Sequence, residues 1–242
     1  MRNARKAAGA ALLVCGLTSV AVTGAFGAGD SVTTTVKLSP AHPKASKKGT
    51  QVKFNYTMAF AGAGGARPAN FATSDLLLPP GMTADGAGFA TCPKATIEAN
   101  DVNSCPAKSI VGHAGGSINV QPIQDPTMPT DGTIYATKAK AGAPPELAIF
   151  YTVREIPSAH SIATMKFRKS GKRWKLHLEL PTLPTAPGLP DATPVDMFFT
   201  LDGKGSKGYA VRTTKACPAG MKLPNKVTFH DGSSATSSAK AC

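Results

Sequence analysis

One glycine pattern in the sequence matches the loop that holds phosphates in dinucleotide-binding proteins. Residues 203–208 read Gly-Lys-Gly-Ser-Lys-Gly, which fits G-x-G-x-x-G. A dinucleotide site needs this loop between a parallel strand and a helix, because the first turn of the helix holds the pyrophosphate. Here residues 209–213 (Tyr-Ala-Val-Arg-Thr) continue with strand character. The pattern therefore predicts a glycine-rich hairpin loop, and we expect no cofactor.

The motifs of common hydrolases and metal sites do not occur in the sequence. G-x-S-x-G, H-E-x-x-H and a D-x-D-x-D-G calcium loop are all missing. Asp191 and Asp196 flank a proline-rich segment, but single loop carboxylates usually only solvate a turn, and His113 has no partner at a readable spacing. We therefore assign no catalytic and no metal-binding residue. The 14 scattered acids leave open a glycosidase-like carboxylate pair, which would have to face across a cleft.

The chemistry that stands out is a basic segment at residues 166–175. Six of these ten residues are basic, none is acidic, and Phe167 and Trp174 are interleaved with them. Basic strands with aromatic residues can bind phosphate-rich or carboxylate-rich polymers. The alternative is a solvated hairpin tip whose charges prevent edge aggregation.

The alternation around this segment predicts a β-hairpin. Residues 162–168 and 174–180 are the two strands, and Ser170-Gly171 is a two-residue turn. This register pairs Lys169 with Lys172 and Phe167 with Trp174. The face opposite the Phe167–Trp174 pair carries four cations, Lys166, Arg168, Arg173 and Lys175. These four are the possible polyanion-binding residues.

The N-terminus predicts export. A basic start (Arg2, Arg5, Lys6) precedes an uncharged stretch at residues 7–28 that ends in small residues, which is typical of a signal peptide at residues 1–27. An uncleaved anchor is the alternative, because 22 uncharged residues are long enough to span a bilayer. Without residues 1–27, 24 basic and 14 acidic residues remain, a net charge of +10.

Four cysteines remain after removal of the signal peptide, and an even number in an exported chain indicates disulfides. Three pairings are possible. Proximity in the chain favours Cys92 with Cys105 and Cys217 with Cys242. A zinc site is disfavoured, because neither cysteine of the first pair belongs to C-x-x-C and the histidines are scattered.

The body of the chain has a period of two, which predicts half-buried strands. Residues 31–38 and 52–60 alternate most clearly, and 18% of the chain is glycine or proline, which disfavours a helical bundle. A short helix is expected only between Cys92 and Cys105, where Pro93 suits its start. We predict residues 121–132 as loop. The fold class is all-β, an antiparallel β-sandwich (Ig-like or jelly-roll-like) of about ten strands.

Several phrases of the sequence, taken in order, are familiar. They are residues 78–81 (Leu-Pro-Pro-Gly), Cys92, residues 105–112, 180–184 and 198–203, residues 215–218 (Lys-Ala-Cys-Pro), residues 229–233 and Cys242. This order resembles a family of secreted, disulfide-containing, β-rich proteins of high-GC Gram-positive (actinobacterial) bacteria that has no assigned activity. The resemblance covers most of residues 75–242. It implies export and disulfides, and it carries over no functional residue.

These observations lead to one expectation for domains and one for function. We expect residues 28–242 to form a single β domain, with two small β domains meeting near residues 141–145 as the alternative. We expect an exported non-catalytic module, structural or binding, at the cell envelope, with an anionic polysaccharide as possible partner. We expect no specific binding to nucleic acid. Contact with a membrane is expected only if the signal segment is not cleaved. A secreted hydrolase with a loop-borne site is the alternative.

Overall fold

The computed structural model describes residues 29–121, 127–185, 190–205 and 208–242; the predicted signal peptide at residues 1–27 lies outside them. Of the described residues, 60% are in strands and 7% in helices, which confirms the all-β prediction. The single α-helix of this part of the chain is α1 (Lys94–Glu98). The strands, in chain order, are β1 (Ser31–Ser39), β2 (Thr50–Gln51), β3 (Lys53–Ala61), β4 (Phe71–Leu77), β5 (Met82–Ala84), β6 (Ile110–Asn119), β7 (Thr127–Lys140), β8 (Ala143–Val153), β9 (Ile156–Ser170), β10 (Arg173–Glu179), β11 (Thr193–Leu201), β12 (Lys204–Gly205), β13 (Gly208–Tyr209), β14 (Val211–Thr213), β15 (Met221–Phe229) and β16 (Ser234–Ala241).

Eleven of these strands form one antiparallel sheet in the order β1-β3-β11-β6-β7-β8-β9-β10-β4-β15-β16. The sheet bends back on itself, so that its two edge strands meet. Thr34 of β1 and Ser237 of β16 are hydrogen-bonded through their side-chain oxygens at 2.5 Å. A nearly closed sheet protects its edges from pairing with other chains. It also encloses the core between its opposite halves.

The period-two pattern of the sequence explains which side chains enter the core. In β1 and β3 every second residue is buried, because successive side chains in a strand point to opposite faces. The inward residues Phe54, Tyr56 and Met58 of β3 are at most 1% exposed. In the sheet they lie directly beside Leu201, Phe199 and Met197 of β11. The Tyr56 and Phe199 rings stack at 5.8 Å, so these rows form continuous apolar layers.

A second, three-stranded sheet in the order β2-β14-β5 covers one end of this core. It lies at the end where β3 begins, because only Val52 separates β2 from β3. The amide of Val52 donates to the carbonyl oxygen of Val211 at 3.0 Å. Val52, Met82 and Val211 are at most 1% exposed, which makes this cap part of the main core.

A disulfide-held loop covers part of the outer surface of the large sheet. Cys92 and Cys105 are bonded, and the buried Ile97 of α1 packs with Tyr135 and Phe150 on β7 and β8. The helix follows Pro93 and ends before Asn100, whose φ of +57° does not continue a helix. The predicted short disulfide-held helix is therefore confirmed.

The second predicted disulfide, Cys217–Cys242, is also present. It closes a segment of 25 residues that holds β15 and β16. Closing such a loop stabilises a fold by about 3 kcal/mol on the chain-entropy model. Two disulfides indicate that the protein folds in an oxidising compartment. In the part of the chain that the structure describes, no helix is long and apolar enough to cross a membrane.

Two details of the predicted element pattern are wrong. Residues 127–132 were predicted as loop but belong to β7. Their sequence is polar, and hydrogen bonds to β6 hold them in the strand conformation. The rest of the predicted loop, residues 122–126, lies outside the described part. The described chain also has sixteen strands where about ten were expected. Strands of two or three residues have no readable period, and β16 is built from small residues. Residues 141 and 142 form the turn between β7 and β8, which are adjacent in the large sheet.

Candidate functional site

Cations gather on the outward face of five adjacent strands, β9, β10, β4, β15 and β16. The register places Arg168 beside Lys175, Lys166 beside His177, and Lys222 beside Lys240. Lys226 lies beside Asp75 on β4, and Glu179 is a second, exposed acid on the outward side of β10. We call this surface the basic face and define it by the cations Lys166, Arg168, Arg173, Lys175, Lys222, Lys226 and Lys240.

The four cations predicted from sequence share one side of the hairpin, but their predicted pairing is wrong. Ser170 pairs with Arg173 and Lys169 with Trp174, so the turn consists of Gly171 and Lys172. Gly171 has a φ of +58°, and hairpin turns that need a positive φ at the first central position take glycine there. The prediction placed glycine second, which shifted each cross-strand pair. The parity of the strands is unchanged, so the cations still lie on the same face.

Three of these four cations have partners within the protein. Lys175 donates to the carboxylate of Asp75 at 2.8 Å, and Lys166 lies 3.8 Å from the carboxylate of Glu146. Arg173 donates from Nε to the carbonyl oxygen of Leu78 at 2.7 Å. Arg168 is exposed, and none of the described carboxylates lies within ion-pair distance of it. The hairpin alone therefore offers less free charge than its sequence suggests.

The free charge of the basic face comes mainly from β15 and β16. Lys222, Lys226 and Lys240 are exposed, and no described acidic side chain forms an ion pair with any of them. Sequence reasoning missed these three residues because they lie at least 47 positions beyond Lys175. The alternation Leu223, Asn225, Val227 on β15 was the signal that would have placed the lysines between them on the outer side.

The aromatic residues of the hairpin do not face outward with the cations. Phe167 and Trp174 pack against the main core. Lys169 lies over the Trp174 ring, with its ammonium nitrogen 4.1 Å from the ring centre. This is a cation–π distance, so this lysine belongs to the local packing of the hairpin. Aromatic stacking on a ligand at the basic face is not available from these two rings.

Asp75 holds the centre of the basic face together. Its carboxylate accepts hydrogen bonds from Lys175 Nζ at 2.8 Å and from His177 Nδ1 at 2.7 Å. Partial burial raises the pKa of the Asp75 carboxyl, but the hydrogen bonds from Lys175 and His177 outweigh burial and hold that pKa below its usual value. The ionised carboxylate is therefore the form that the folded protein stabilises.

Replacing Asp75 with asparagine is expected to destabilise the protein at neutral pH and to have a smaller effect at acidic pH. The pKa of Asp75 is lower in the folded state than in the unfolded state, where it is near 3.9. The ionised carboxylate therefore contributes fully to the free energy of unfolding above the unfolded-state pKa. This contribution is lost as the pH falls through the folded-state pKa. Urea unfolding of both proteins at pH 7 and pH 2.5 measures this. Asp131→Asn, which removes an exposed pair with Arg154, should give a smaller gap at pH 7. A gap for Asp75→Asn that is equally large at pH 2.5 would contradict the assignment.

A polar groove lies where the outer surface of β8–β10 meets α1. Its volume is about 480 Å³, and Glu98, Glu146 and Glu179 line it together with Lys94 and Lys166. Glu98 is paired with Lys94 at 2.8 Å, and Glu146 with Lys138 at 3.0 Å. Two of the three acids of this groove are therefore held in surface ion pairs.

The inside of the sheet opens into an apolar pocket at the end opposite the three-stranded cap. It has a volume of about 420 Å³, and its lining includes Ile118, Met128, Tyr151, Val153 and Met197. At this end of the sheet β6 and β8 end, and β7, β9 and β11 begin. Sequence reasoning missed this pocket. A period-two pattern shows which residues point inward, but it does not show whether the inward residues of several strands together fill the core.

The remaining residues singled out from sequence lie apart from one another. His113 is exposed on β6, opposite Thr200 and Thr133, and Asp196 accepts a hydrogen bond from Ser117. Within the described residues, no three His, Cys, Asp or Glu side chains come close enough to hold a metal ion. β12 pairs antiparallel with β13, so Gly205 and Gly208 of the glycine pattern lie in paired antiparallel strands, which agrees with the predicted hairpin. Residues 206 and 207 lie outside the described residues. Comparison with protein-family models, curated proteins and solved structures finds no match to this chain.

Proposed function

We propose that this protein is an exported, non-catalytic binding module of the cell envelope that holds an anionic polymer on its basic face. The observation that carries the proposal is the clustering of seven cations on the outward surface of five adjacent strands. Four of them, Arg168, Lys222, Lys226 and Lys240, are exposed and have no acidic partner among the described residues.

The shape of this surface suits a polymer better than a small molecule. Neighbouring strands lie about 4.8 Å apart, and residues two positions apart on one strand are separated by about 7 Å. A flexible chain with repeated negative charges can meet several cations of such a grid in many registers. Binding of this kind is attractive at long range, weakened by salt and independent of monomer sequence.

The proposed location follows from the N-terminus, the net charge and the disulfides. A signal peptide at residues 1–27 would export a chain with a net charge of +10. The two disulfides suit the oxidising space outside the cytoplasm. The resemblance to secreted actinobacterial proteins favours the same place. The polymer class that best fits a basic protein there is a phosphate-bearing wall polysaccharide.

The decisive variant removes the exposed cations and leaves those with structural contacts in place. In the chain 28–242 we would change Arg168, Lys222, Lys226 and Lys240 to glutamine, and keep Arg173 and Lys175 because they hold Leu78 and Asp75. Each exposed ion pair between one of these cations and the polymer would contribute only a few tenths of a kcal/mol. Four such contacts together amount to about a tenfold change in affinity. We therefore expect about tenfold weaker binding to poly(glycerol phosphate) at low salt, measured by calorimetry, and no binding to neutral dextran.

A matched control separates the basic face from net charge alone. Glutamine at four exposed lysines elsewhere, Lys44, Lys47, Lys48 and Lys140, changes the net charge by the same amount. This control should keep most of the affinity. Equal losses in the two variants, or no loss in the first, would overturn the basic face as the binding surface. Shortening of the polymer during the incubation would instead support the alternative of a secreted hydrolase.

A further inference from the structure

The apolar pocket lies at the end of the sheet where several inward positions of β6, β7 and β9 carry small residues. Gly116, Gly132 and Ser161 occupy inward positions on β6, β7 and β9, where they form rows with Thr130 and Tyr151. Two residues further along the same strands, the inward row has the larger Ile134 and Ile149, and it is filled. The pocket volume of about 420 Å³ lies within the range of small-molecule sites, roughly 300–1,000 Å³.

The lining of this pocket is mostly hydrocarbon. Side chains from six different segments contribute to it, namely Ile118, Met128, Val153, Leu180, Leu183 and Met197. Ile156 stands at its edge and is 42% exposed, one of two large apolar side chains on the described surface with such exposure. An apolar residue left in water at the mouth of an apolar pocket indicates an apolar ligand.

One polar group in the pocket has no partner. The Tyr151 side chain lies flat across Gly132, where even a methyl group would meet its ring at 2.9 Å. Tyr151 is only 7% exposed, and its hydroxyl forms no hydrogen bond with any described residue. Buried hydroxyls almost always have a partner, because leaving one unsatisfied is costly. Burial also raises the pKa of Tyr151, so the hydroxyl keeps its proton and can donate it.

The charges around the pocket disfavour an anionic ligand. Asp196 is among the described lining residues, but the register places it beside Ser117 and Ala59, so its side chain lies on the outer side of the sheet. Its carboxylate is already engaged by the Ser117 hydroxyl. Neither lysine nor arginine is among the described lining residues. The His160 ring stacks on Phe150 at 5.5 Å, on the outer side of the sheet. A fatty-acid carboxylate would therefore lose its hydration in an apolar pocket whose described lining offers no cation.

We propose that this end pocket binds a neutral molecule that has an aliphatic chain and a hydrogen-bond acceptor such as an ester carbonyl, with Tyr151 as the donor. The aliphatic chain would lie along the apolar lining, and the carbonyl oxygen would satisfy the Tyr151 hydroxyl. The pocket lies inside the end of the sheet, whereas the basic face lies on its outer surface. This proposal is therefore independent of polymer binding.

The test uses a fluorescent apolar amine, N-phenyl-1-naphthylamine, as the probe and three competitors of equal chain length. We expect the chain 28–242 to bind the probe. Methyl decanoate should displace it at about tenfold lower concentration than decanoate, because only the ester enters the pocket without burying an unpaired charge. Failure of the wild-type chain to take up the probe, or displacement by decanoate as effective as by the ester, would overturn the proposal.

Two variants separate the hydroxyl from the cavity. Tyr151→Phe should still bind the probe but lose about fivefold of the preference for methyl decanoate over decane. Ala159→Trp, which adds a large side chain to the lining, should abolish probe binding, while Ala61→Trp on the exposed end of β3 should not. Thermal unfolding of each variant shows that it is folded. An unchanged ester preference in Tyr151→Phe, or probe binding by folded Ala159→Trp equal to that of Ala61→Trp, would also overturn the proposal.

Discussion

Replacing Asn225 with alanine is expected to lower the free energy of unfolding by about 3 kcal/mol. Asn225 is an inward residue of β15 and is 1% exposed. Its carbonyl oxygen accepts from the Ser74 hydroxyl at 2.8 Å, and its amide donates to Thr34 at 3.1 Å and to Ser237 at 3.5 Å. Alanine would leave these buried hydroxyls without that partner, and each unsatisfied group costs about 1–3 kcal/mol.

The loss is expected to be large because these bonds join strands from both edges of the sheet. Ser74 also accepts from the Tyr56 hydroxyl at 2.6 Å, and burial raises the pKa of Tyr56 so that this proton stays in place. The resulting network runs from β3 through β4 and β15 to β1 and β16. It crosses the place where the first and last strands of the sheet meet. Removing its central amide should therefore loosen the closure as well as one strand.

Asn55→Ala provides a matched control in strand β3. Asn55 lies on the outer side, is half-buried, and donates to Thr200 at 2.8 Å. Water can replace this partner, so we expect a loss below about 1 kcal/mol. Urea unfolding with the disulfides intact, followed by circular dichroism, measures both variants. Equal losses would show that the buried network does not close the sheet.

Alternation and chain proximity were enough to predict much of the fold. Residues 31–38 and 52–60 were predicted as strands because large apolar residues recur at every second position, and both strands are confirmed within one or two residues. The disulfides were predicted because each cysteine has one near neighbour in the chain, and both are confirmed. In these cases the physical cause lies within a short stretch of sequence.

What could not be predicted depends on contacts between distant strands. In β16 the inward residues are Ala235, Ser237, Ala239 and Ala241, which are too small to give an apolar period. They are small because β1 lies against them and the sheet must close there. The three exposed lysines of β15 and β16 join the basic hairpin only through β4, which precedes both in the chain. The predicted hairpin register was wrong because either Ser170 or Lys172 could form the two-residue turn with Gly171. The prediction chose Ser170, whereas the structure has Lys172.

Gly116→Ala is expected to cost more than about 4 kcal/mol, enough to prevent most of the chain from folding. Gly116 lies in β6 with a φ of +151°, and a methyl group there would overlap the carbonyl oxygen of Asp196 on β11. Main-chain atoms of a central strand cannot move aside without breaking the ladder that joins β6 to β11. This close approach of two main chains is the physical reason for a glycine at position 116.

The informative comparison is with Gly171→Ala in the turn of the basic hairpin. Gly171 also has a positive φ, +58°, but a methyl group there would meet no atom within 4 Å. Its loss should therefore be only the left-handed backbone strain of alanine, about 1–2 kcal/mol. Urea unfolding of the two variants, together with the yield of disulfide-bonded protein, separates steric overlap from backbone strain. If Gly116→Ala were as stable as Gly171→Ala, β6 and β11 would have to lie further apart than they do here. The inward row that shapes the end pocket would then be wider as well, because Met197 lies beside Gly116 in that row.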